Sequence, residues 1–508
     1  MDISLKHEDY KFLKTITDNS VEESVESELT LPEYMPEILR IIKSTAEPKI
    51  NSCRLVGERV TVDGVCDLRM IYTAEDGCIY CFSQSRPFTR HCENALFSDA
   101  VDVNAKVNVS YVNCRATGTK RAEIKAGLVI KFCVYCEEKE EVISLGDTKG
   151  IEQKNMPVKA MSLGCKKTRS FSMSDTVTLN SPAAFIISTK ANAVCTEIRK
   201  INNKIMVKGD AVVDVCYVNA NDKSSAEHIK HSIPVNQILE FDGMEEHFTG
   251  NVVLQVTALD VILKGESTGM ATAFDISLGV DACVDMWEEK ELLVISDAYA
   301  VGTALELKKS PHTFCTALDE IKETYIFENN FTVTGEGVGS VLDCCGEVTS
   351  VQVKAENGEL IISGSLSVSL IIKDSAGSLS SISKMFDYAY KKKVEYNDKN
   401  IICSPELTLK SLDCTVKGTN SVDVRAEICV TGSVFGKLVI DAVTDITESE
   451  TPICRNCNAI TVYFPENSNE SLWAIARRYN TTVKAIAAEN DLDGDTTENL
   501  KMIFIPSA

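Results

Sequence analysis

The sequence predicts a mainly β protein: three tandem β-sandwich-like repeats of about 130–150 residues, then a small α+β domain of βααβ order. Three observations predict this fold class. Apolar and polar residues alternate over long stretches, glycines recur at nearly constant intervals, and helical periodicity is clearest in roughly the last fifty residues. With 508 residues, 44% hydrophobic and 25% charged, the chain is long enough for several folded domains.

The first recurring landmark is a glycine inside a run of alternating apolar and polar residues. It occurs at Gly64, Gly209 and Gly364, and each run predicts a strand with one apolar and one polar face. Because each run is long for a single strand, we expect the glycine to mark a bulge or a bend.

A second glycine follows in each copy, at Gly118, Gly265 and Gly418, after intervals of 54, 56 and 54 residues. Such constant spacing indicates an internal repeat. In the middle copy the apolar positions shift by one residue after Ala273, which predicts either a bulge or a different alignment of that copy. Strands with a single apolar face pack as antiparallel sheets, most simply in a sandwich.

A proline-rich segment precedes the first repeated strand. It reads Leu31-Pro-Glu-Tyr-Met-Pro36-Glu-Ile, and a proline is favoured at the first position of a helix. We therefore predict a short helix from Pro36, with Ile38, Ile41 and Ile42 facing the body of the repeat.

The end of the chain predicts strand, helix, helix and strand in very few residues. Leu472, Ile475, Ala476 and Tyr479 have helical spacing, and Thr481 or Thr482 can cap a second helix. Together with Asn490-Asp-Leu492 and the closing Ile505-Pro506, this order resembles the LysM domain. The resemblance implies a module that binds other molecules and does not catalyse a reaction.

The full layout, with the Pro-x-Tyr-Met-Pro-Glu-Ile segment, the copies around Gly64 and the terminal LysM pattern, resembles the SPOCS (DUF3794) proteins of spore-forming Firmicutes. Within that family it is similar to the spore coat morphogenetic proteins of clostridia. The domain bounds that we predict are 1–150, 160–300 and 315–447 for the three repeats, 448–457 for a linker and 458–508 for LysM.

The resemblance implies a non-enzymatic scaffold in the mother-cell cytoplasm, at the forespore surface. Its expected partners are a SpoIVA-type coat morphogenetic ATPase, bound through LysM, and other spore coat proteins. An alternative is a peptidoglycan-binding protein of the cortex or the cell wall.

Four residues of the terminal module are predicted to contact a protein partner. LysM domains commonly bind N-acetylglucosamine polymers, but Asn469-Glu-Ser471 and Leu500 depart from the usual residues and argue against glycan binding. Aromatic and arginine side chains are frequent interface anchors. The candidates are Tyr463, Phe464, Trp473 and Arg477. The other interpretation of Trp473 is that it packs over the edge of its own small domain.

The net charge and the first residues of the sequence argue against several other classes of function. A net charge of −22 without a basic stripe argues against nucleic-acid binding. The residues after Met1 lack the basic start and apolar stretch of a secretory signal, and no run reaches the length of a membrane span. We therefore expect a chain that is not secreted and has no transmembrane segment.

The cysteines allow two interpretations. Three pairs have CxxC spacing, Cys78/Cys81, Cys133/Cys136 and Cys454/Cys457, but no second pair completes a four-ligand set. We favour free thiols with no metal and no cofactor, and keep a thiol or metal-binding protein using Cys454 and Cys457 as the second alternative. His228 and His231 are interpreted as an isolated pair in a polar connection, and no catalytic constellation is recognisable, so no enzyme is expected.

Overall fold

The computed structural model describes residues 5–145, 150–241, 245–265, 270–334, 337–349, 351–395, 401–403, 405–449, 461–465, 470–492 and 501–506. The prediction of a mainly β fold is confirmed, because strands cover most of the described chain and two short helices lie near its end. No helix in these ranges is long and apolar enough to cross a membrane.

The first repeat consists of two antiparallel three-stranded sheets. One has the strand order β1-β6-β5 and the other β2-β3-β4. A 3₁₀ turn at Ala95–Asp99 connects the two sheets. The strands are β1 Leu5–Thr30, β2 Arg40–Val56, β3 Arg59–Thr73, β4 Ile79–Glu93, β5 Ala100–Gly118 and β6 Arg121–Leu145.

The second repeat has the same two sheets, joined by one strand. The first part of β7 pairs with β11, and its last part pairs with β8, so that the order is β10-β11-β7-β8-β9. The strands are β7 Ile151–Ile201, β8 Lys204–Asn219, β9 Ala226–Glu240, β10 Thr249–Gly265 and β11 Ala271–Ala300.

The third repeat follows the same plan. One sheet contains β12, β19, β18 and β17, and the other contains β13 and β14 in line beside β15, with β16 beyond. The strands are β12 Leu305–Thr332, β13 Val338–Val348, β14 Gln352–Glu356, β15 Glu359–Asp374, β16 Leu379–Lys393, β17 Ile401–Cys403, β18 Glu406–Lys417 and β19 Ser421–Glu448.

The sandwich follows directly from the alternation of apolar residues. In the first repeat, Val60 and Leu68 of β3 belong to the same buried cluster as Ile124 and Ile130 of β6, which lies in the other sheet. The second and third repeats each have an equivalent core shared by their two sheets. Each alternating strand therefore turns its apolar face toward the opposite sheet, as the sequence predicts.

The structure places the expected bulge beside the landmark glycine, on the neighbouring strand. Opposite Gly64, the register shifts between Ile50 and Ser52, and opposite Gly209 it shifts between Cys195 and Glu197. A Cβ atom at Gly209 would collide with the carbonyl oxygen of Val194. The glycine thus allows the bulged neighbour to approach closely, while its own strand remains continuous.

Two further expectations have opposite outcomes. A register shift between Ala271 and Ala273 confirms the bulge in the middle copy. The helix predicted from Pro36 is wrong, because no helix occurs between β1 and β2. The backbone of this segment instead bonds to distant parts of the repeat: the Ile38 amide donates to the Thr119 carbonyl, in the turn between β5 and β6, at 2.7 Å, and the Leu39 amide to the Thr73 carbonyl of β3 at 2.9 Å.

The three repeats pack around shared apolar clusters. A further bulge in each repeat, separate from any opposite the landmark glycine, adds Ile42, Ile187 or Leu342 to the strand beside β3, β8 or β15. All three residues are buried in one cluster with Ile71, Cys216 and Ile371, which each follow the landmark glycine of their repeat by seven positions. Equivalent positions of the three copies therefore meet at one place.

A second shared cluster forms where the long strand pairs β1–β6, β7–β11 and β12–β19 extend beyond their sandwiches. Tyr10 is fully buried there beside Phe314, with ring centroids 5.5 Å apart. Its hydroxyl donates to the Met161 carbonyl at 3.0 Å and accepts from the Cys315 amide at 3.2 Å. One side chain of the first repeat thus bonds to the backbone of both other repeats.

We predict that Gly209→Ala lowers the free energy of unfolding by about 1–3 kcal/mol, because its Cβ would collide with a backbone that cannot move aside cheaply. Urea denaturation followed by circular dichroism measures the change. Gly118→Ala is the matched control, since the nearest atom to a Cβ there is 3.9 Å away. Equal losses of stability in both variants would contradict the role given to Gly209.

Candidate functional site: the C-terminal domain and its exposed sheet face

The C-terminal domain has the predicted βααβ order. It consists of β20 Thr461–Tyr463, α1 Leu472–Arg478, α2 Val483–Glu489 and β21 Ile503–Ile505, with β20 and β21 paired antiparallel. The Ser471 and Thr482 hydroxyls accept from the Ala474 and Ala485 amides and so cap the two helices. Both helices turn apolar residues, including Leu472 and Ile486, toward the strands.

The core of this domain includes residues of the second repeat. Tyr299, at the end of β11, is buried in the same cluster as Leu472 and Ile475, and Val301 packs against it. The Tyr299 hydroxyl donates to the Thr481 carbonyl at 2.9 Å. A fifty-residue domain has little core of its own, so these side chains extend it.

Asp297 is the polar centre of the contact between the domain and β11. Its Oδ2 accepts from the Trp473 indole at 3.0 Å and from the Arg477 guanidinium at 2.7 Å. Its Oδ1 faces the Lys309 ammonium at 3.6 Å, and the side chain is only 17% exposed. The Trp473 ring also meets the Tyr299 ring edge-on, with centroids 4.9 Å apart. Bonds to a partly buried charge and an aromatic pair together hold α1 against the repeat.

Tyr463 takes part in a network within the domain. Its hydroxyl donates to Glu470 at 2.6 Å and accepts from Arg478 at 3.0 Å, while Arg478 also bonds to Glu470 at 2.8 Å. The hydrogen bond to Glu470 raises the pKa of Tyr463. This network fixes the start of α1 relative to β20.

Among the described residues, the outer face of the β20–β21 sheet is apolar and exposed. Val462 and Phe504 are cross-strand partners on this face, and Phe464 and Met502 lie beside them in sequence. Their exposed fractions are 45%, 37%, 65% and 48%. We call Val462, Phe464, Met502 and Phe504 the exposed sheet face. A concentration of four exposed apolar residues on so small a domain is typical of an interaction surface.

The four predicted contact residues lie in three different places. Trp473 and Arg477 come together on Asp297 of the second repeat, so Trp473 packs against that repeat and not only over the edge of its own domain. Tyr463 supports the helix start, and Phe464 belongs to the exposed sheet face. A partner-binding role for the four stays a prediction. Sequence reasoning missed Val462, Met502 and Phe504, although an apolar residue on the outer side of each strand was the available signal.

A second group of polar residues lies where the second repeat meets the third. The Cys216 thiol, the His228 imidazole and the Asp343 carboxylate offer ligand atoms within 4.8 Å of one another. The prediction that His228 and His231 lie in a polar connection is wrong, because both lie on β9. His231 bonds separately to Asp175 at 2.8 Å. This cluster was missed because its members are distant in sequence.

The protonation of this cluster follows from burial and charge. Burial raises the pKa of Cys216 to about 11. Burial alone would lower the pKa of His228, but the hydrogen bond to Asp214 and neighbouring groups raise it to about 11. Of the CxxC pairs, Cys78 and Cys81 are free thiols, and Cys454 and Cys457 lie outside the described residues.

We predict that Asp297→Ala loosens the C-terminal domain from β11, because the Trp473 indole and the Arg477 guanidinium lose their common acceptor. The chain has two tryptophans, so a Trp287→Phe background reports on Trp473 alone. Its fluorescence emission should shift to the red and its quenching by acrylamide should rise. Glu291→Ala, an exposed carboxylate on the same strand, should change neither; an unchanged Asp297→Ala spectrum would contradict the docking.

Two family models match parts of the chain. Residues 37–117 and 183–264 match the model described as SipL, SPOCS domain. Residues 467–501 match the LysM domain. No curated protein and no solved structure matches the chain. The first SPOCS segment covers β2–β5, and the second covers the end of β7 together with β8–β10. The equivalent strands of the third repeat are β13–β18. SPOCS and LysM domains are binding or scaffold domains without catalytic activity.

Proposed function

We propose that this chain of SPOCS and LysM domains is a non-catalytic scaffold of the spore coat, located in the mother-cell cytoplasm at the forespore surface. The LysM domain docks the scaffold onto a SpoIVA-type coat ATPase, and the repeats present surface to other coat proteins. The domain division proposed is three repeats, 1–150, 160–300 and 315–447, a linker at 448–457, and LysM at 458–508.

One observation carries the proposal: the LysM domain is fixed to the repeats by its helix side and exposes an apolar sheet face on the other. The fixed side uses polar and aromatic contacts that the chain supplies itself. Among the described residues of this domain, the exposed sheet face is therefore a surface that a partner can reach. Because the helix side is tied to Asp297, a bound partner would be held at a defined position relative to the repeats.

The exposed sheet face favours a protein over a glycan as its ligand. Apolar side chains such as Phe464 and Met502 gain free energy when a partner removes them from water, about 1.5–3 kcal/mol for each fully buried side chain. The four side chains of this face offer no nitrogen or oxygen atom that could form a hydrogen bond with the hydroxyl and amide groups of a sugar polymer. Trp473 and Arg477 contribute by orienting the domain.

We predict that Phe464→Ser combined with Met502→Ser reduces capture of a purified SpoIVA-type coat ATPase by the full chain at least about tenfold, because two apolar side chains no longer leave water on binding. Biolayer interferometry with immobilised ATPase measures the change. Ile262→Ser, which alters an equally exposed apolar residue on β10 of the second repeat, is the matched control and should bind as the unaltered chain does.

Two outcomes would contradict the proposal. Capture that is unchanged in the double variant would show that the exposed sheet face does not bind the ATPase. Sedimentation of the full chain with purified peptidoglycan, lost in the double variant, would favour the cortex or wall alternative. Circular dichroism of both variants separates loss of binding from loss of fold.

A further inference from the structure

Three side chains with metal-ligand chemistry converge where the second and third repeats meet. Cys216 comes from β8, His228 from the neighbouring β9, and Asp343 from β13 of the third repeat. Cys216 and Asp343 are buried, while the His228 side chain is 30% exposed, so the cluster is enclosed but reachable from solvent. A site of this kind would tie two repeats together through a single ion.

The distances suit a tetrahedral ion. Zinc bonds of about 2.0–2.3 Å place neighbouring ligand atoms about 3.3–3.8 Å apart. The His228 Nε2 and Asp343 Oδ1 atoms are 3.8 Å apart, which is the upper end of this range. The thiol sulfur of Cys216, the ring nitrogen of His228 and a carboxylate oxygen of Asp343 all lie within 4.8 Å of one another, so a small adjustment brings them to ligand spacing.

The groups behind the ligands hold them in a binding orientation. Asp214 Oδ1 lies 3.2 Å from His228 Nδ1, so a carboxylate fixes the ring and directs Nε2 toward the cluster. Metal-bound histidines are commonly oriented by such a carboxylate. The Lys43 ammonium lies 3.7 Å from Oδ2 of Asp343, which leaves Oδ1 turned toward His228.

The equivalent positions at the other two contacts between repeats lack this set. The register places Ile71 and Cys81 of the first repeat, and Ile371 and Ser381 of the third, where Cys216 and His228 lie in the second. The positions equivalent to Asp343 are Ser188 and Lys43. Three ligand types thus coincide at only one of three geometrically related places in the described chain.

We infer that Cys216, His228 and Asp343 bind one zinc ion, with a water molecule as the fourth ligand. Thiolate, imidazole and carboxylate together are a donor set that Zn²⁺ accepts. Binding would release the thiol proton of Cys216 and the Nε2 proton of His228 to solvent, with no change in oxidation state. The ion would hold the second repeat against the third.

Zinc content of the full chain tests the inference. The protein, carrying no histidine tag, is purified with reduced thiols, loaded with zinc, desalted and measured by inductively coupled plasma mass spectrometry. We expect about one zinc that is lost in His228→Gln and in Cys216→Ala. His231→Gln, on the same strand, and Cys195→Ala, another buried thiol of this repeat, should retain it. The Cys454→Ser/Cys457→Ser variant should retain it too, which separates this site from the terminal CxxC pair.

Cobalt titration of the chelator-treated chain covers the case in which a variant fails to fold. One equivalent of Co²⁺ should produce a thiolate charge-transfer band that is also present in the Cys454→Ser/Cys457→Ser variant. Absence of this band, absence of zinc from the unaltered chain, or zinc retained by folded His228→Gln would overturn the inference. In that event His228 acts as a cationic donor to the Leu342 carbonyl, as Arg69 does to the Ile187 carbonyl at 2.7 Å.

Discussion

The structure depends on one extra residue that each repeat inserts beside its central strand. Ile42, Ile187 and Leu342 interrupt the register and are buried in one cluster shared by the three repeats. A regular strand would give no additional residue at this place, so the bulge supplies the contact that holds the copies together. Removing one repeat would expose apolar surface on both others, so the three repeats stabilise one another.

The same assembly determines where the LysM domain lies. Tyr10 bonds to the backbone of both other repeats and fixes the strand pairs that extend beyond the sandwiches. Burial raises the pKa of Tyr10, which keeps its hydroxyl protonated as a donor. Asp297 and Tyr299 lie at the end of one of these pairs and form hydrogen bonds with the LysM domain. The exposed sheet face is therefore positioned by contacts that begin in the first repeat.

The sequence predicts the repeated strands and the βααβ domain because both have local periodicity. It does not predict that the bulge beside Gly64 lies on β2, because the position of a bulge depends on how the two strands pair. The segment at Pro36 has a helical pattern, but the Ile38 amide bonds to a carbonyl in the turn between β5 and β6, and this tertiary bond prevails over local preference. Asp297 and Trp473 are 176 positions apart, and nothing local in either links them.

Similar repeats can pack against one another in a wrong order, and the side chains at each contact differ in a way that prevents this. Three copies of one fold, joined by similar bulges, could pack in more than one order or exchange strands with a second chain. The side chains facing the shared cluster differ from copy to copy: Arg69 reaches the Ile187 carbonyl, His228 reaches the Leu342 carbonyl, and Lys43 pairs with Asp343 at 3.7 Å. A misplaced repeat would leave buried charges such as Lys43 and Asp343 unpaired, which costs more than a lost apolar contact. The common backbone geometry therefore permits association, and the polar side chains decide its order.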